Sequence, residues 1–330
     1  MRTIRKLFYV LIATLFAGAG WVVWFALKPI PLAASPLDFS ISSGASLRLA
    51  SQQMAEAGIG FAPWQFTLLA RLADKATEIK AGSYEVVQGV TPWLLLGKLT
   101  RGDFTQAEIA LIEGKTFRQF RTQLDAHPDL RHDSLGLGDA VLLARLGVSE
   151  THPEGLFFPD TYLFSKKSSD LDVLRRAYRA MQGHLAQEWE KRSPETPCAS
   201  PYEALILASI IEKESGRAGD REQVSAVFAN RLRRGMLLQT DPTVIYGIGE
   251  EFAGKLHRRD LVADTTYNTY TRGGLPPTPI ATPGLASLQA ALHPAKSNML
   301  YFVARGDGSS EFSRDLESHN RAVAKYQKGK

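Results

Sequence analysis

An uncharged run of 21 residues at positions 7–27 constrains this chain more than any other feature. An α-helix of that length spans a bilayer. Lys28 closes the run, and three basic residues precede it: Arg2, Arg5 and Lys6. Because positive charge is retained on the cytoplasmic side, the pattern predicts a single transmembrane helix with a cytoplasmic N-terminus, and the rest of the chain on the far side.

A cleaved signal peptide is the main alternative for this segment. Residues 32–34 offer a weak small-residue cleavage site, but the apolar run exceeds the usual signal core of roughly 7 to 15 residues. A buried helix of a soluble core is a third interpretation, and the position at the extreme N-terminus behind basic residues argues against it. We therefore expect an uncleaved anchor, with Trp21 and Trp24 at the outer interface.

Composition bounds the rest of the chain. Its 330 residues, 44% hydrophobic and 22% charged, are enough for a substantial core and about two globular units. The net charge of +5 is dispersed, so we expect no nucleic acid partner, whereas anionic lipid or an acidic wall polymer fits. Cys198 is the sole cysteine and the seven histidines lack metal-ligand spacing, so we expect no disulfide, metal or cofactor.

Helix and strand signals follow a proline-containing linker at residues 28–36. Residues 46–57 and 64–76 have the apolar spacing of core-facing helices. Residues 82–102 combine a strand with a helix that Thr91 would cap. Their spacing of Gly, Tyr, Val and Leu resembles a LysM module, a small glycan-binding unit, and a plain strand-turn-helix unit is the equal alternative.

Further along, the segment PEGLFFPDTYLF at residues 153–164 places aromatic residues and Gly/Pro turns together. It suits a loop wedged against a groove, or an aromatic minicore under a long loop. Residues 171–192 read as a long amphipathic helix, and short strands are expected near residues 300–303. The fold class is therefore expected to be α+β.

The candidate catalytic residue is Glu214, the last residue of the helical segment EALILASIIEKE at positions 203–214. Leu207 and Ile210 lie on one side of this helix, and Glu214 continues their stripe one turn further along. A carboxyl at the end of an apolar stripe loses hydration, which raises its pKa and suits a general acid. Glu212 lies about 160° around the helix, so the two carboxyls cannot share a site. On this helix alone, a solvated structural role for Glu214 stays the alternative.

Polar and aromatic side chains concentrate in three later segments. These are LLQTDPTVIYGIG at 237–249, whose apolar part is a strand or a helix turn, YNTY at 267–270, and GGLPPTPIATPG at 273–284. Hydroxyls need hydrogen bonds and pyranose faces need flat apolar partners, so this mixture is typical of a sugar-binding cleft. The candidate substrate-binding residues are Gln239, Thr240, Asp241, Tyr246, Asn268 and Tyr270.

Taken in order, LASIIEKES at 207–215, NRLRRGMLLQTDPTVIYG at 230–247, YNTY, GLPPTPIATPG and HPAKSNMLYFVA at 293–304 resemble the endolytic murein transglycosylase family, also called YceG-like. The resemblance spans nearly the whole chain. It implies a lytic transglycosylase anchored in the bacterial inner membrane, with its catalytic domain in the periplasm. Such an enzyme cuts nascent peptidoglycan strands between N-acetylmuramic acid and N-acetylglucosamine, leaves 1,6-anhydro ends, and limits strand elongation, with wall synthases as candidate partners.

The resemblance places the catalytic glutamate on the motif Glu-Lys-Glu-Ser, and we assign it to Glu214, with Glu212 as the alternative. Glu214 would protonate the leaving glycosidic oxygen and then take the proton from the muramic C6 hydroxyl, which attacks the anomeric carbon. Asp241 would direct water in a muramidase-type hydrolase, and a noncatalytic peptidoglycan-binding scaffold is a further alternative. The expected organisation is a cytoplasmic tip at 1–6, a transmembrane helix at 7–27, a linker at 28–36, a LysM-like subdomain at 37–150 and a catalytic domain at 151–330.

Overall fold

The computed structural model describes residues 2–42 and 44–327, which form a mixed fold of helices and strands. The chain divides into two compact units. The first comprises Met1–Glu108, Asp129–Arg131 and Leu163–Ser168, and the second comprises Ile109–Pro128, His132–Tyr162 and Ser169–Lys330. The mixed fold class is confirmed, and the domain bounds expected from the sequence stay a prediction.

Helix α1 (Arg2–Leu27) contains the apolar run. Its segment Ile4–Leu27 has a mean hydropathy of 2.1 and is long and apolar enough to cross a membrane. Most of its side chains are exposed, but Phe25 and Ala26 near the C-terminal end are buried in the core of the first unit. An N-terminal apolar helix is thus present, and its length and composition fit a single-pass anchor.

The remainder of the first unit contains a two-stranded antiparallel sheet and three further helices. These elements are β1 (Leu37–Ile41), α2 (Leu47–Glu56), α3 (Pro63–Leu72), β2 (Gly82–Val86) and α4 (Pro92–Arg101). Phe39 lies opposite Tyr84 in the sheet register, and both rings are buried. The side chains of Ser46 and Thr91 each accept a backbone N–H at the start of α2 and α4, so the predicted Thr91 cap is confirmed.

The second unit is mainly helical. Its helices are α5 (Phe117–Asp125), α6 (Asp139–Leu146), α7 (Asp170–Glu190), α8 (Pro201–Glu214), α9 (Arg221–Arg233), α10 (Asp241–Ile248), α11 (Arg258–Val262), α12 (Leu285–Leu292) and α13 (Leu316–Tyr326). Strand β3 (Gln106–Ala110) pairs with β4 (Thr161–Ser165), and β5 (Tyr301–Ala304) pairs antiparallel with β6 (Ser310–Ser313). The division between the units falls within both β3 and β4.

Helix α8 lies at the centre of the second unit. Pro201 occupies its first turn, and the Ser200 hydroxyl accepts the Glu203 N–H at 3.2 Å, which fixes the start of the helix. Every residue from 204 to 211 is buried, as expected for a helix that is apolar all round. It packs against α7, α9, α10 and α12. Its last residue, Glu214, therefore lies where a core helix meets the surrounding loops.

Candidate active site

Glu214 is the last helical residue of α8. Burial raises the pKa of its carboxyl, the nearby Asp241 carboxylate raises it further, and a hydrogen bond from Thr240 opposes the rise. The C-terminal end of a helix also carries partial negative charge, which disfavours a carboxylate there. These surroundings favour the protonated form of Glu214, as a general acid requires.

A cluster of threonines holds this carboxyl. Thr240, directly before α10, donates its hydroxyl hydrogen to Oε1 of Glu214. The Thr240 N–H donates to the Thr269 hydroxyl at 3.1 Å, and the Thr243 hydroxyl lies 2.9 Å from that of Thr269. All three threonines are buried. Because Oε1 is occupied by a fixed donor, Oε2 is the oxygen of Glu214 left to carry a proton.

Asp241 and Tyr270 form the next pair. The Tyr270 hydroxyl donates to Oδ1 of Asp241 at 2.5 Å, and Asp241 is exposed at the first position of α10. Burial raises the pKa of Tyr270, and the carboxylates of Asp241 and Glu214 raise it further. Tyr270 therefore stays a protonated donor at neutral pH. The structure brings Glu214, Asp241 and Tyr270 together, as the sequence predicted for one site.

Gln239 is exposed and has a left-handed backbone, with φ of 51°. Its N–H donates to the Thr269 carbonyl at 3.1 Å. The buried guanidinium of Arg231 donates to the Gln239 side-chain oxygen at 3.4 Å and to the Leu238 carbonyl at 2.9 Å. A non-glycine residue in this conformation persists where its surroundings fix it, and such residues cluster at functional sites. Gln239 is thus held next to Thr240, at the surface.

Two other predicted binding residues have most of their polar atoms engaged within the protein. Asn268 is fully buried, and its amide donates to the carbonyls of Asp260, Leu261 and Ala263 while its oxygen accepts the Tyr270 N–H at 2.8 Å. The Tyr246 hydroxyl donates to Glu154 at 3.2 Å, and its ring meets Tyr267 edge-on with centroids 4.9 Å apart. Both side chains hold neighbouring segments in place through these contacts. A direct contact with substrate stays a prediction for each.

Glu154 lies in the PEGLFFPDTYLF segment and was not among the candidate residues predicted from the sequence. Its side chain is 3% exposed, and Oε1 accepts the N–H of Phe117, the first residue of α5, at 2.9 Å. Burial raises its pKa to about 7, against hydrogen bonds from Phe117, Tyr246 and Gly155. The signal in the sequence was a glutamate next to a glycine and a run of apolar residues, which suggests burial. Only the fold shows that Glu154 joins α5 to α10.

Glu212, the alternative catalytic residue, has different neighbours. Its Oε2 accepts the Gly284 N–H at 3.0 Å, and its Oε1 lies 3.8 Å from the Arg221 guanidinium. The carboxyl thus joins α8 to α9 and to the loop before α12. This arrangement is typical of a structural ion pair. The prediction that Glu212 and Glu214 lie on different sides of the helix agrees with their separate partners.

One group of side chains has the composition of a metal site. The ligand atoms of Asp125, His132 and Asp170 all lie within 4.8 Å of one another. The Asp170 carboxylate, however, accepts hydrogen bonds from the N–H and hydroxyl of Ser134, at 2.6 to 3.2 Å. Asp170 therefore has a structural role at the start of α7. Asp170 lies far along the chain from Asp125 and His132, so spacing alone does not reveal the group.

A part-buried carboxyl of raised pKa, beside exposed polar side chains, is typical of the class of general acid–base enzymes. Comparison with known proteins places the chain more narrowly within that class. The sequence model of the YceG-like family matches residues 39–325, and the chain belongs to this family.

Named relatives and a solved structure agree with that membership. The endolytic murein transglycosylase of Bacillus subtilis is 32% identical over 268 residues, which cover 76% of this chain and 74% of the relative. The protein of the same name from Streptococcus pneumoniae is 26% identical over 97% of this chain, which spans 64% of the length of that relative. A crystal structure of a YceG-like protein from Listeria monocytogenes superimposes with a TM-score of 0.57 at 30% identity, and the match covers 87% of this chain and 98% of that one.

Proposed function

We propose that this protein is an endolytic murein transglycosylase that cleaves peptidoglycan strands between N-acetylmuramic acid and N-acetylglucosamine. The observation that carries the proposal is the Glu214 carboxyl, raised in pKa at the end of α8 and held by the Thr240 hydroxyl. The names of the relatives support the same reaction.

In the proposed reaction, Glu214 acts first as an acid and then as a base. The protonated Oε2 gives its proton to the glycosidic oxygen as the bond to the anomeric carbon of the muramic residue breaks. The resulting carboxylate takes the proton of the muramic C6 hydroxyl, whose oxygen bonds to the anomeric carbon. The products are a 1,6-anhydro end and a free hydroxyl on the leaving sugar, and Glu214 regains its proton. The reaction consumes no water and needs no second carboxylate.

Gln239, Asp241 and Tyr270 are the proposed contacts for sugar hydroxyls, because Gln239 and Asp241 are exposed and Tyr270 is a protonated donor beside them. Thr240 is proposed to orient the Glu214 carboxyl rather than to bind sugar. Tyr246 and Asn268 are proposed to shape the site, since their polar atoms already have partners within the protein.

The decisive experiment digests purified glycan strands and identifies the ends by mass spectrometry. We expect anhydro products from the native chain, loss of these products with Glu214→Gln, and retained products with Glu212→Gln, provided that both variants keep the native circular dichroism spectrum. Reducing ends would identify a muramidase-type hydrolase, and unaltered strands would identify a noncatalytic binding protein. Loss of products from Glu212→Gln with full activity of Glu214→Gln would move the catalytic role to Glu212.

Location and partners complete the proposal. We propose that α1 anchors the chain once in the inner membrane, with its N-terminus in the cytoplasm and the chain after Lys28 in the periplasm, because the basic residues Arg5 and Lys6 precede the apolar run. Residues 82–102, which form β2 and α4, are the proposed LysM-like glycan contact. Peptidoglycan synthases are the proposed protein partners, since they make the strands that this enzyme would cut.

A further inference from the structure

The C-terminal end of α1 is packed onto the first unit. The ring of Trp21 stacks on Trp64 of α3 with centroids 5.3 Å apart, and the Phe25 ring lies 5.8 Å from Trp21. Phe25 and Ala26 belong to the same buried core as Phe66 and Leu95. Contacts with α3 and α4 therefore fix how this end of α1 meets the unit.

The length of the apolar run gives the depth at which this packing occurs. Residues 7–27 rise about 32 Å as a helix, which matches a hydrocarbon core of about 30 Å. Residues 7–20 alone would rise only about 21 Å, too short to span without thinning the bilayer. On the proposed anchor, the packed end of α1 is therefore needed within the membrane. Trp21 lies six residues, about 9 Å, before Leu27, so Trp64, which stacks on it, lies in the outer part of the bilayer, just inside the interface.

The surface beside this junction is apolar and exposed. Both α3 and α4 begin with Pro-Trp, and both tryptophans are exposed, together with a leucine of each helix. We call these four residues the docking surface: Trp64 is 59% exposed, Leu72 63%, Trp93 48% and Leu94 59%. Tryptophan is enriched at membrane interfaces because its ring is apolar and its N–H needs a polar partner.

Two open grooves connect this surface with α1. One runs along α1 from Leu11 to Val23 and has Trp64, Leu68 and Leu72 on its other side. The second lies between the last turns of α1, including Val23 and Leu27, and Trp93 with Leu72. The walls of both grooves are almost wholly apolar, and Leu72 contributes to each. Grooves of this kind along an anchor helix fit acyl chains.

The charges around the grooves suit an anionic lipid surface. None of α1, α3 and α4 contains an acidic residue. Arg71 lies next to Leu72 in the last turn of α3, and Lys28 follows α1 directly, with its Nζ 4.5 Å from the centre of the Trp24 ring. Basic side chains near the end of an anchor helix reach the headgroup region.

We propose that the first unit docks on the lipid bilayer through Trp64, Leu72, Trp93 and Leu94, with acyl chains in the two grooves beside α1. This inference rests on the proposed single-pass anchor and adds a second membrane contact to it. The helices α3 and α4 are then held against the membrane by their own apolar side chains, in addition to their packing on α1.

Tryptophan fluorescence of the full chain tests the docking. In vesicles of phosphatidylcholine and phosphatidylglycerol, a variant that keeps Trp93 alone reports on the surface, with the other four tryptophans replaced by Phe (Trp21, Trp24, Trp64 and Trp189). We expect acyl chains brominated near the headgroup to reduce Trp93 emission by about half, and aqueous iodide to have little effect. A matched probe is Gln52→Trp, on the exposed polar part of α2, as the sole tryptophan of the chain. Its emission should be reduced by aqueous iodide and little affected by the brominated acyl chains.

Substitutions on the docking surface give an independent readout. Leu72→Ser with Leu94→Ser should lower the bromolipid quenching of Trp93 and raise its iodide quenching. Leu49→Ser, at an exposed position of α2 outside the docking surface, should change neither. These side chains are exposed, so their loss leaves the core intact.

The possible results separate docking from anchoring. Retention of the chain in vesicles after a carbonate wash tests the anchor, and release would refute the anchor of the proposed function. Retention with Trp93 quenched by iodide and not by bromolipid would overturn the docking alone. Protection of Trp93 from both quenchers that increases with protein density in the vesicle would assign the surface to a second copy of the chain, which also overturns it.

Discussion

Replacing Glu154 by Gln probes the buried carboxyl that joins α5 to α10. Burial raises its pKa from the ordinary value of 4.5 to about 7. In the unfolded chain the side chain is hydrated again, and its pKa returns to that ordinary value. The folded protein thus binds a proton at Glu154 more tightly than the unfolded chain does.

The sign and size of the effect follow from this difference. A proton held more tightly by the folded state stabilises the fold below the unfolded pKa, and this contribution is lost as pH rises through the folded pKa. From 4.5 to about 7, at 1.36 kcal/mol for each pKa unit, the loss is about 3 kcal/mol. Gln does not titrate. The free energy of unfolding of the native chain relative to Glu154→Gln should therefore fall by about 3 kcal/mol between pH ~4 and pH ~8.

Urea unfolding of the detergent-solubilised full chain, followed by circular dichroism across this pH range, measures the difference. Glu251→Gln, at an exposed position, controls for the change of charge alone and should give a nearly constant difference. Tyr246→Phe removes a donor that stabilises the Glu154 carboxylate, so the decline of stability should extend to higher pH and its total should grow. A pH-independent difference between the native chain and Glu154→Gln, or one that grows with pH, would refute the assignment of a raised pKa to Glu154.

Three other substitutions test the site. Thr240→Val removes the hydrogen bond that opposes the raised Glu214 pKa, so the alkaline limb of the pH–rate profile for glycan cleavage should move to higher pH, and Thr240→Ser should restore it. Asp241→Asn removes a carboxylate that raises the Glu214 pKa, so the alkaline limb should move to lower pH while the products keep their anhydro ends. If the native chain instead gave reducing ends, and these vanished in Asp241→Asn, Asp241 would be the residue that directs water. Asn268→Ala leaves buried carbonyls unpaired and should lower the free energy of unfolding in urea by about 3 kcal/mol, and a loss below about 1 kcal/mol would contradict its bracing role.

Local signals made much of the secondary structure predictable. Thr91 followed by Pro92 predicted the start of α4, because a side-chain acceptor and a fixed φ suit the first turn of a helix, and the Thr91 hydroxyl does accept the Leu94 N–H. The apolar part of the segment after Gln239 stayed ambiguous between strand and helix. It forms α10. A short apolar run alone does not decide between helix and strand, and here packing against α8 decides it.

The sequence proposed members for the candidate site, which stay predictions, but it did not show which contacts they make. A stripe on one helix identified Glu214, but its partner Thr240 is 26 positions away and reaches it only through the threonine cluster. Asn268 looked like a binding residue because an amide in a polar, aromatic segment suits sugar hydroxyls. Its amide also closes a buried loop, a contact that the sequence did not predict, and its role in binding stays a prediction. Glu154 was overlooked because the sequence around it is dominated by aromatic residues, and its burial depends on two helices from elsewhere in the unit.

Three carboxyls of the second unit show how neighbours decide what a glutamate can do. Glu212 has the Arg221 guanidinium 3.8 Å away, and removing either partner would strand the other, which is the situation of a structural pair. Glu154 faces the N-terminus of α5 and the Tyr246 hydroxyl, and hydrogen-bond donors occupy both of its oxygens. Among residues 2–42 and 44–327, Glu214 has one fixed donor, on Oε1, and a carboxylate neighbour that disfavours its ionised form. A general acid must hold a proton, release it to the substrate and recover it. Its ionised form must therefore be unfavourable but still accessible, and one carboxyl oxygen must be free to carry the proton. Of the three, Glu214 has the surroundings that supply both conditions.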